Sequence, residues 1–321
     1  MGRQTLIDSI DDRLTATPSG DYLNIFDTFD GAVSGNSVYN TNLWNGAAAD
    51  LIPALTGVVW MAEGFFGGGL FPSVKAVAIS RRHILVCGHV YIGLGTVRWI
   101  LQNGTFVNGT TIDSIQDVGS EHVQSPRFFQ VLYLSADLPS TVPLTPIFSP
   151  TFLDASTVHV PGTPSDTKPV DSLMLDALPV VPVIKFDQEH KMLVANSYNL
   201  TAGEYQANQM QFFTRNPGIT FPTRDLYYEA SIGGDSGSTI LAVYEDQLIF
   251  LSMASDLVSS FLSGPHALWF VQSIITACAT LDARNAQTGY TPEFFTFPED
   301  MGYVTTRDYA RTAITVSDEA G

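Results

Sequence analysis

Lysine is scarce in this chain: four in 321 residues, Lys75, Lys168, Lys185 and Lys191. Lys and Arg together number 15 against 32 Asp and Glu, a formal net charge of −17. Polyanion binding rests on clustered cations, so nucleic acid and anionic membrane are excluded as partners. Cysteine is scarcer still, with Cys87 and Cys278 far apart and without a metal-ligand spacing. That argues against a disulfide-stapled scaffold and fits an intracellular, bacterial or viral origin. Cys87, inside an apolar stretch, reads as a small buried hydrophobe. The six histidines form no HxH or HxxxH pair, so no metal is expected. No Gly-rich loop links a strand to a helix in the phosphate-binding pattern, so no cofactor is expected either. No apolar run reaches the length of a membrane span. Met1 to Leu6 lacks the basic-then-apolar order of a signal peptide. A cytoplasmic or virion-associated location is therefore expected.

What is present describes a folded chain with a sparingly charged surface, 45% hydrophobic and 15% charged, long enough for a sizeable core. Residues 1–50 are rich in Asp, Asn, Ser, Gly and Thr and read as an N-terminal extension. It carries one short amphipathic helix at Leu6, Ile7, Ile10 and Leu14. Short strands follow: 57–62, 74–80 and 83–90, then 96–101 and 105–107 joined through Asn103-Gly104, whose residues suit a type I′ turn. Asn108-Gly109 predicts another turn before a strand over 110–118. Nine prolines between 138 and 182 predict a connection between two subdomains. The second half supplies strands at 180–186, 191–198, 209–214, 238–243 and 247–253. Phe270, Ile274, Ile275, Cys278 and Leu281 fall at helical spacing within 269–283. Many short strands without strand–helix alternation indicate an antiparallel, all-β fold. Residues 285–321, with Phe294, Phe295 and Phe297, read as a C-terminal arm able to pack on its own barrel or on a neighbour.

Two segments carry chemistry. In Ile232-Gly233-Gly234-Asp235-Ser236-Gly237-Ser238 a serine sits behind two glycines and an aspartate, where a tight turn lifts the hydroxyl and frees backbone N–H groups to bind an oxyanion. In Ala76 to Val90 an apolar strand, the polar turn Ser80-Arg81-Arg82, and a second apolar strand end in His89. A base at one strand end and a nucleophile at a later turn is what nucleophilic catalysis requires. In this order the segments resemble the trypsin-like, chymotrypsin-fold serine peptidases over residues 55–283.

That resemblance implies two antiparallel six-stranded β-barrels and a C-terminal helix, with added N- and C-terminal arms. The peptidase domain would cover 51–284, barrel one about 51–160, barrel two about 161–270, and the helix 269–283. His89 would be the general base and Ser236 the nucleophile, with the oxyanion held by the N–H groups of Gly234 and Ser236. Asp235 would be buried and hold the loop in shape. Ala230 would floor the substrate pocket and Ser252, Met253 and Ala254 would wall it, an uncharged site for an apolar or small side chain. Phe128 stands where the family's orienting aspartate would be. Asp113, Asp117 and Glu121 are the substitutes, and Gln130 is a neutral alternative two residues on. The implied activity is hydrolysis of protein or peptide substrates through an acyl-enzyme. The alternatives are an inactive peptidase fold serving as a structural or binding component of a virus or phage particle, assembling through its arms, and an esterase with the same nucleophile.

Overall fold

A computed structural model describes residues 2–30, 36–61, 75–88, 92–118, 129–148, 181–198, 209–213, 221–232, 235–254, 256–258, 261–265 and 267–295. Helix α1 (Gly2–Asp11) is followed by the small ladder β1 (Phe26–Thr28) and β2 (Val38–Tyr39), then the single turn α2 (Ile52–Leu55). Six antiparallel strands close into a barrel in the order β3 (Val58–Met61), β4 (Ala76–Ala78), β5 (His83–Cys87), β8 (Phe129–Leu134), β7 (Phe106–Val118) and β6 (Thr96–Ile100). The later strands are β9 (Ile147–Phe148), β10 (Val181–Phe186), β11 (Met192–Tyr198), β12 (Gln209–Phe213), β13 (Thr239–Tyr244), β14 (Gln247–Met253), β15 (Asp256–Val258) and β16 (Phe261–Pro265). Helix α3 (Ala267–Arg284) and the short strand β17 (Phe294–Phe295) complete the described chain. Among the described residues no helix is long and apolar enough to cross a membrane.

Strands β4, β5 and β8 are buried on both faces, which is why they read as apolar runs rather than alternating ones, whereas the long β7 is polar and largely open to solvent. Ile84, Val86, Val97, Trp99, Leu132 and Leu134 share one apolar cluster. Leu85, Cys87, Phe129, Val131 and Tyr133, at the intervening positions, share another with Phe186 and Phe250 of the second sheet and Ile274 and Leu281 of α3. Period-two alternation thus gives each strand one face for a core within the barrel and one for the junction with the rest of the molecule.

Among the described residues the second half shows no closed barrel of six strands. Its described strands pair in the open order β15-β16-β12-β11-β10-β13-β14-β9-β17, nine in all. The three members beyond six lie at the edges: β15, paired to β16, on one side, and on the other β9, parallel to β14, followed by β17, parallel to β9.

Two turn expectations fail for identifiable reasons. Only Gly104 takes a positive φ (+81°) in the 101–105 loop, so this is not a type I′ turn; the Asn103 carboxamide instead accepts the Thr105 N–H. Asn108-Gly109 is no turn at all but the middle of the 13-residue β7, with Gly109 paired to Val97. Asn108 accepts from Arg98 Nε, and a Cβ at Gly109 would stand 2.9 Å from Leu134 and 3.0 Å from Trp99. Close packing, not backbone reversal, requires that glycine.

The N-terminal extension is built into the molecule. Leu23, Ile25, Phe26, Tyr39, Leu43 and Trp44 belong to the same core as Tyr133 and Phe250, while Leu6 and Ile7 of α1 pack with Val183, Ile240 and Ile249 of the second sheet. Two backbone bonds and one side-chain bond stitch it to the β10–β11 hairpin: Ile25 N–H donates to His190 O, Met192 N–H to Leu23 O, and the Trp44 indole Nε1–H to Met192 O.

Candidate functional site

The Ser236 turn is held from below. Asp235 N–H donates to Ile232 O and Ser238 N–H to Asp235 O, while Gly237 takes φ +86°, a conformation that glycine adopts without strain. The buried Asp235 carboxylate receives Lys185 Nζ at 2.7 Å and the Ile232 N–H at 3.1 Å on one oxygen, and the Gln188 N–H at 3.3 Å on the other. Lys185, itself buried, also donates to Ser231 Oγ at 2.7 Å. The aspartate's three donors tie β10 and the hairpin after it to the loop before Ser236. Ser236 is half-buried, and no hydrogen bond from another described residue engages its hydroxyl. Gly234 lies outside the described residues.

His89 also lies outside them, but both its flanks are placed. Cys87 ends β5, and its thiol lies 3.7 Å from Ala254 O. The same carbonyl accepts the Gly237 N–H at 2.7 Å, and Ala254 N–H donates to Ser238 O. One backbone oxygen is therefore shared by a residue two before His89 and a residue one after Ser236. The two candidate segments, 147 positions apart in the chain, converge across the junction between barrel and second sheet.

The candidate acids separate. Asp113 is tied to the end of α3: its carboxylate accepts from Asn285 Nδ2 at 3.1 Å and from Ser114 N–H, with Arg284 3.8 Å away. Asp117 is exposed, at φ +57°, in the irregular pairing between Ile115 and Val118. Val118 pairs with Phe129, which pairs with Cys87, so Asp117 adjoins the row of residues that leads to His89. Glu121 and Phe128 lie outside the described residues. Gln130 is committed elsewhere, with both amide groups bonded to the backbone of Ile92.

The expected pocket residues differ in exposure. Ala230 is exposed, whereas Ser252, Met253 and Ala254 are buried. A groove of about 490 Å³ lies at the other end of β13, between Ala54, Pro143 to Thr145, the Tyr244–Leu248 turn and Phe295. The one acidic triple close enough for a cation among the described residues, Asp187, Glu189 and Glu229, already holds Lys191, whose Nζ lies 2.7 Å from both glutamates.

Three polar groups absent from the sequence reading matter here. Lys185 is a lone cation in the apolar run Val181–Phe186, and that misplacement was the available signal. Lys75 and His190 meet at 3.0 Å beneath the same hairpin, with the imidazole stacked on Phe29. Burial lowers Lys75 to about 7; burial, and then the Lys75 charge, lowers His190 to about 3. At the other end of β5, Ser80 Oγ lies 2.8 Å from His83 Nδ1, and His83 Nε2 lies 3.5 Å from Asp282 Oδ1 of α3. Burial lowers His83 to about 4 and raises Asp282.

No family model matches the chain, and no curated protein matches it significantly. The geometry therefore carries the functional reading without relatives to support it.

Proposed function

We propose that the chain is a serine peptidase of chymotrypsin-like fold, with Ser236 as nucleophile and His89 as general base. The shared Ala254 carbonyl carries this reading, because it draws Gly237 and Cys87, and with them the two chemical segments, to one place. The fold agrees. Within the second sheet, β16-β12-β11-β10-β13-β14 are six successive antiparallel strands whose outer members touch, the arrangement from which a second barrel would close.

In the reaction His89 takes the Ser236 proton as Oγ attacks the scissile carbonyl carbon. The tetrahedral oxyanion rests on the N–H groups of Ser236 and Gly234. Collapse breaks the C–N bond, the amine leaves with the proton from His89, and water then cleaves the acyl ester by the same relay. Asp235 acts on structure rather than protons, since its oxygens are filled by Lys185, Ile232 and Gln188. With Asp113 held by α3, steadying the imidazolium falls to Asp117 or Glu121.

A fluorophosphonate probe tests the reading. Adduct at Ser236, absent in Ser236→Ala and in His89→Ala, is the expected outcome; a folded protein that takes no label overturns it. The second reading, a peptidase fold that binds without cleaving, is favoured by Phe128 at the expected acid position.

A further inference from the structure

We infer that Gln130 is a positioning residue for the general base, an inference that rests on the reading of His89 and Ser236 as a catalytic pair. Gln130 is 1% exposed and lies on β8 opposite Val86 of β5. Its Oε1 accepts the Ile92 N–H at 3.1 Å and its Nε2 donates to the Ile92 carbonyl at 2.8 Å. A carboxamide is the side chain that closes this pair, because it offers one donor and one acceptor side by side. Its neighbours along β8, Val131 to Leu134, are apolar or aromatic, so a buried amide among them calls for a reason beyond packing.

The position of the bond supplies that reason. The chain leaves β5 at Cys87, which is paired to Phe129 and directed at Ala254 O, and it is caught again at Ile92, whose side chain is buried in the barrel cluster. Between these anchors lie four residues, 88–91, and His89 is among them. The strand β8 thus holds the segment at both ends: Phe129 by backbone pairing before His89, and Gln130 by its side chain after it. Fixing both ends of so short a span restricts the conformations open to it, which is how a scaffold maintains a base within reach of its nucleophile. Gln130 touches no reacting atom in this scheme; it acts through the segment.

The test compares the rate of fluorophosphonate labelling at Ser236 over a pH series in the wild type, Gln130→Leu, Gln130→Glu and Val131→Ala. Gln130→Leu matches the side chain in size and removes both bonds; labelling should slow by about 10- to 100-fold, with a displaced pH midpoint. Val131→Ala, a core truncation next to Gln130, should lower the melting temperature while leaving rate and midpoint in place. Gln130→Glu makes both bonds when its carboxyl is protonated and repels the Ile92 carbonyl when ionised. Its labelling should therefore approach the wild type at low pH and fall behind as pH rises, a test that survives if Gln130→Leu does not fold. A folded Gln130→Leu with the wild-type rate and midpoint, or a Gln130→Glu profile that superimposes on the wild type at every pH, overturns the positioning role. A wild type that takes no label overturns the peptidase reading itself, and the positioning role with it.

Discussion

Two serines in this molecule stand in segments with the residue types that nucleophilic chemistry uses, and among the described residues the more complete set of partners belongs to Ser80 rather than to Ser236. Ser80, His83 and Asp282 place hydroxyl, imidazole and carboxylate in a row, Ser80 Oγ 2.8 Å from His83 Nδ1 and His83 Nε2 3.5 Å from Asp282 Oδ1, too far for a hydrogen bond to close there. Yet Ser80 and His83 are at most 2% exposed, and Ser80 Oγ already accepts the N–H groups of Arg82 and His83. Its remaining proton points to His83 Nδ1, so the hydroxyl has no face left for a substrate. Ser236 has fewer partners in view: its half-buried hydroxyl takes no hydrogen bond from another described residue, and its turn is braced from behind by a buried ion pair. Residue types alone do not separate a reactive group from a structural one. Access, and how many hydrogen bonds the group already makes, do so. The Ser80 chain is read as a staple between the β4–β5 turn and α3.

The largest effect expected from this contrast is at Lys185. Lys185→Met leaves the Asp235 carboxylate buried without its cation and should cost about 3–5 kcal/mol. Labelling of Ser236 should fall with it. Adding Asp235→Asn removes the stranded charge, so denaturant titration of the double variant should show much of the stability restored. An additive loss would show that the two groups do not act as a pair.

Acid should separate the two regions next. His83 and His190 have folded-state values of about 4 and about 3, below the ordinary imidazole value of about 6.5. The unfolded chain therefore binds more protons between those limits, and stability present above about pH 6.5 is lost as pH falls toward 4. From pH 7 to 5 each histidine should account for about 2 kcal/mol. The raised Asp282 offsets part of this, because above its ordinary value the folded state retains the extra proton. Urea midpoints should show a shallower acid slope in His83→Gln and in His190→Gln; an unchanged slope in both would remove the buried histidines from the account.

Next is the pair Ser80→Ala and Ser236→Ala. The first strands two backbone N–H groups and should cost about 1–3 kcal/mol while labelling persists. The second should stay within about 0.5 kcal/mol and abolish labelling. A reversal of either pattern would exchange the roles given to the two serines.

Much of this arrangement was legible before the structure. Strands β3 to β6, the principal strands of the second half and the last helix lie within a few residues of where apolar runs and turn residues put them, because period and burial are written locally, while β7 runs on through the turn expected at Asn108-Gly109. The Ser236 turn was legible for the same reason. Edge strands were not: β9, β15 and β17 are two or three residues long and exist through their partners. Neither Lys185 nor Gln130 could be assigned a partner from sequence, since Asp235 and Ile92 lie 50 and 38 positions away. The polar composition of residues 1–50 suggested an appendage. It concealed Ile25, Leu43 and Trp44, each fully buried in the main core.

The smallest expected effect falls on a second lysine of the same β-hairpin. Lys191 bridges Glu189 and Glu229 at 2.7 Å each, and the first of the influences on its pKa, partial burial, is outweighed by these carboxylates, which raise it. It differs from Lys185 in exposure: its partners are 55% and 40% accessible, against 4% for Asp235. Water and salt screen the first pair of contacts and cannot reach the second. Lys191→Gln should therefore cost under about 1 kcal/mol at low ionic strength, and the difference from wild type should shrink as salt is added. The loss in Lys185→Met should persist in the same salt series. If both variants responded to salt alike, the Asp235 pair would be as open to solvent as the Lys191 one, and the rigid support assigned to the Ser236 turn would have to come from its backbone bonds alone.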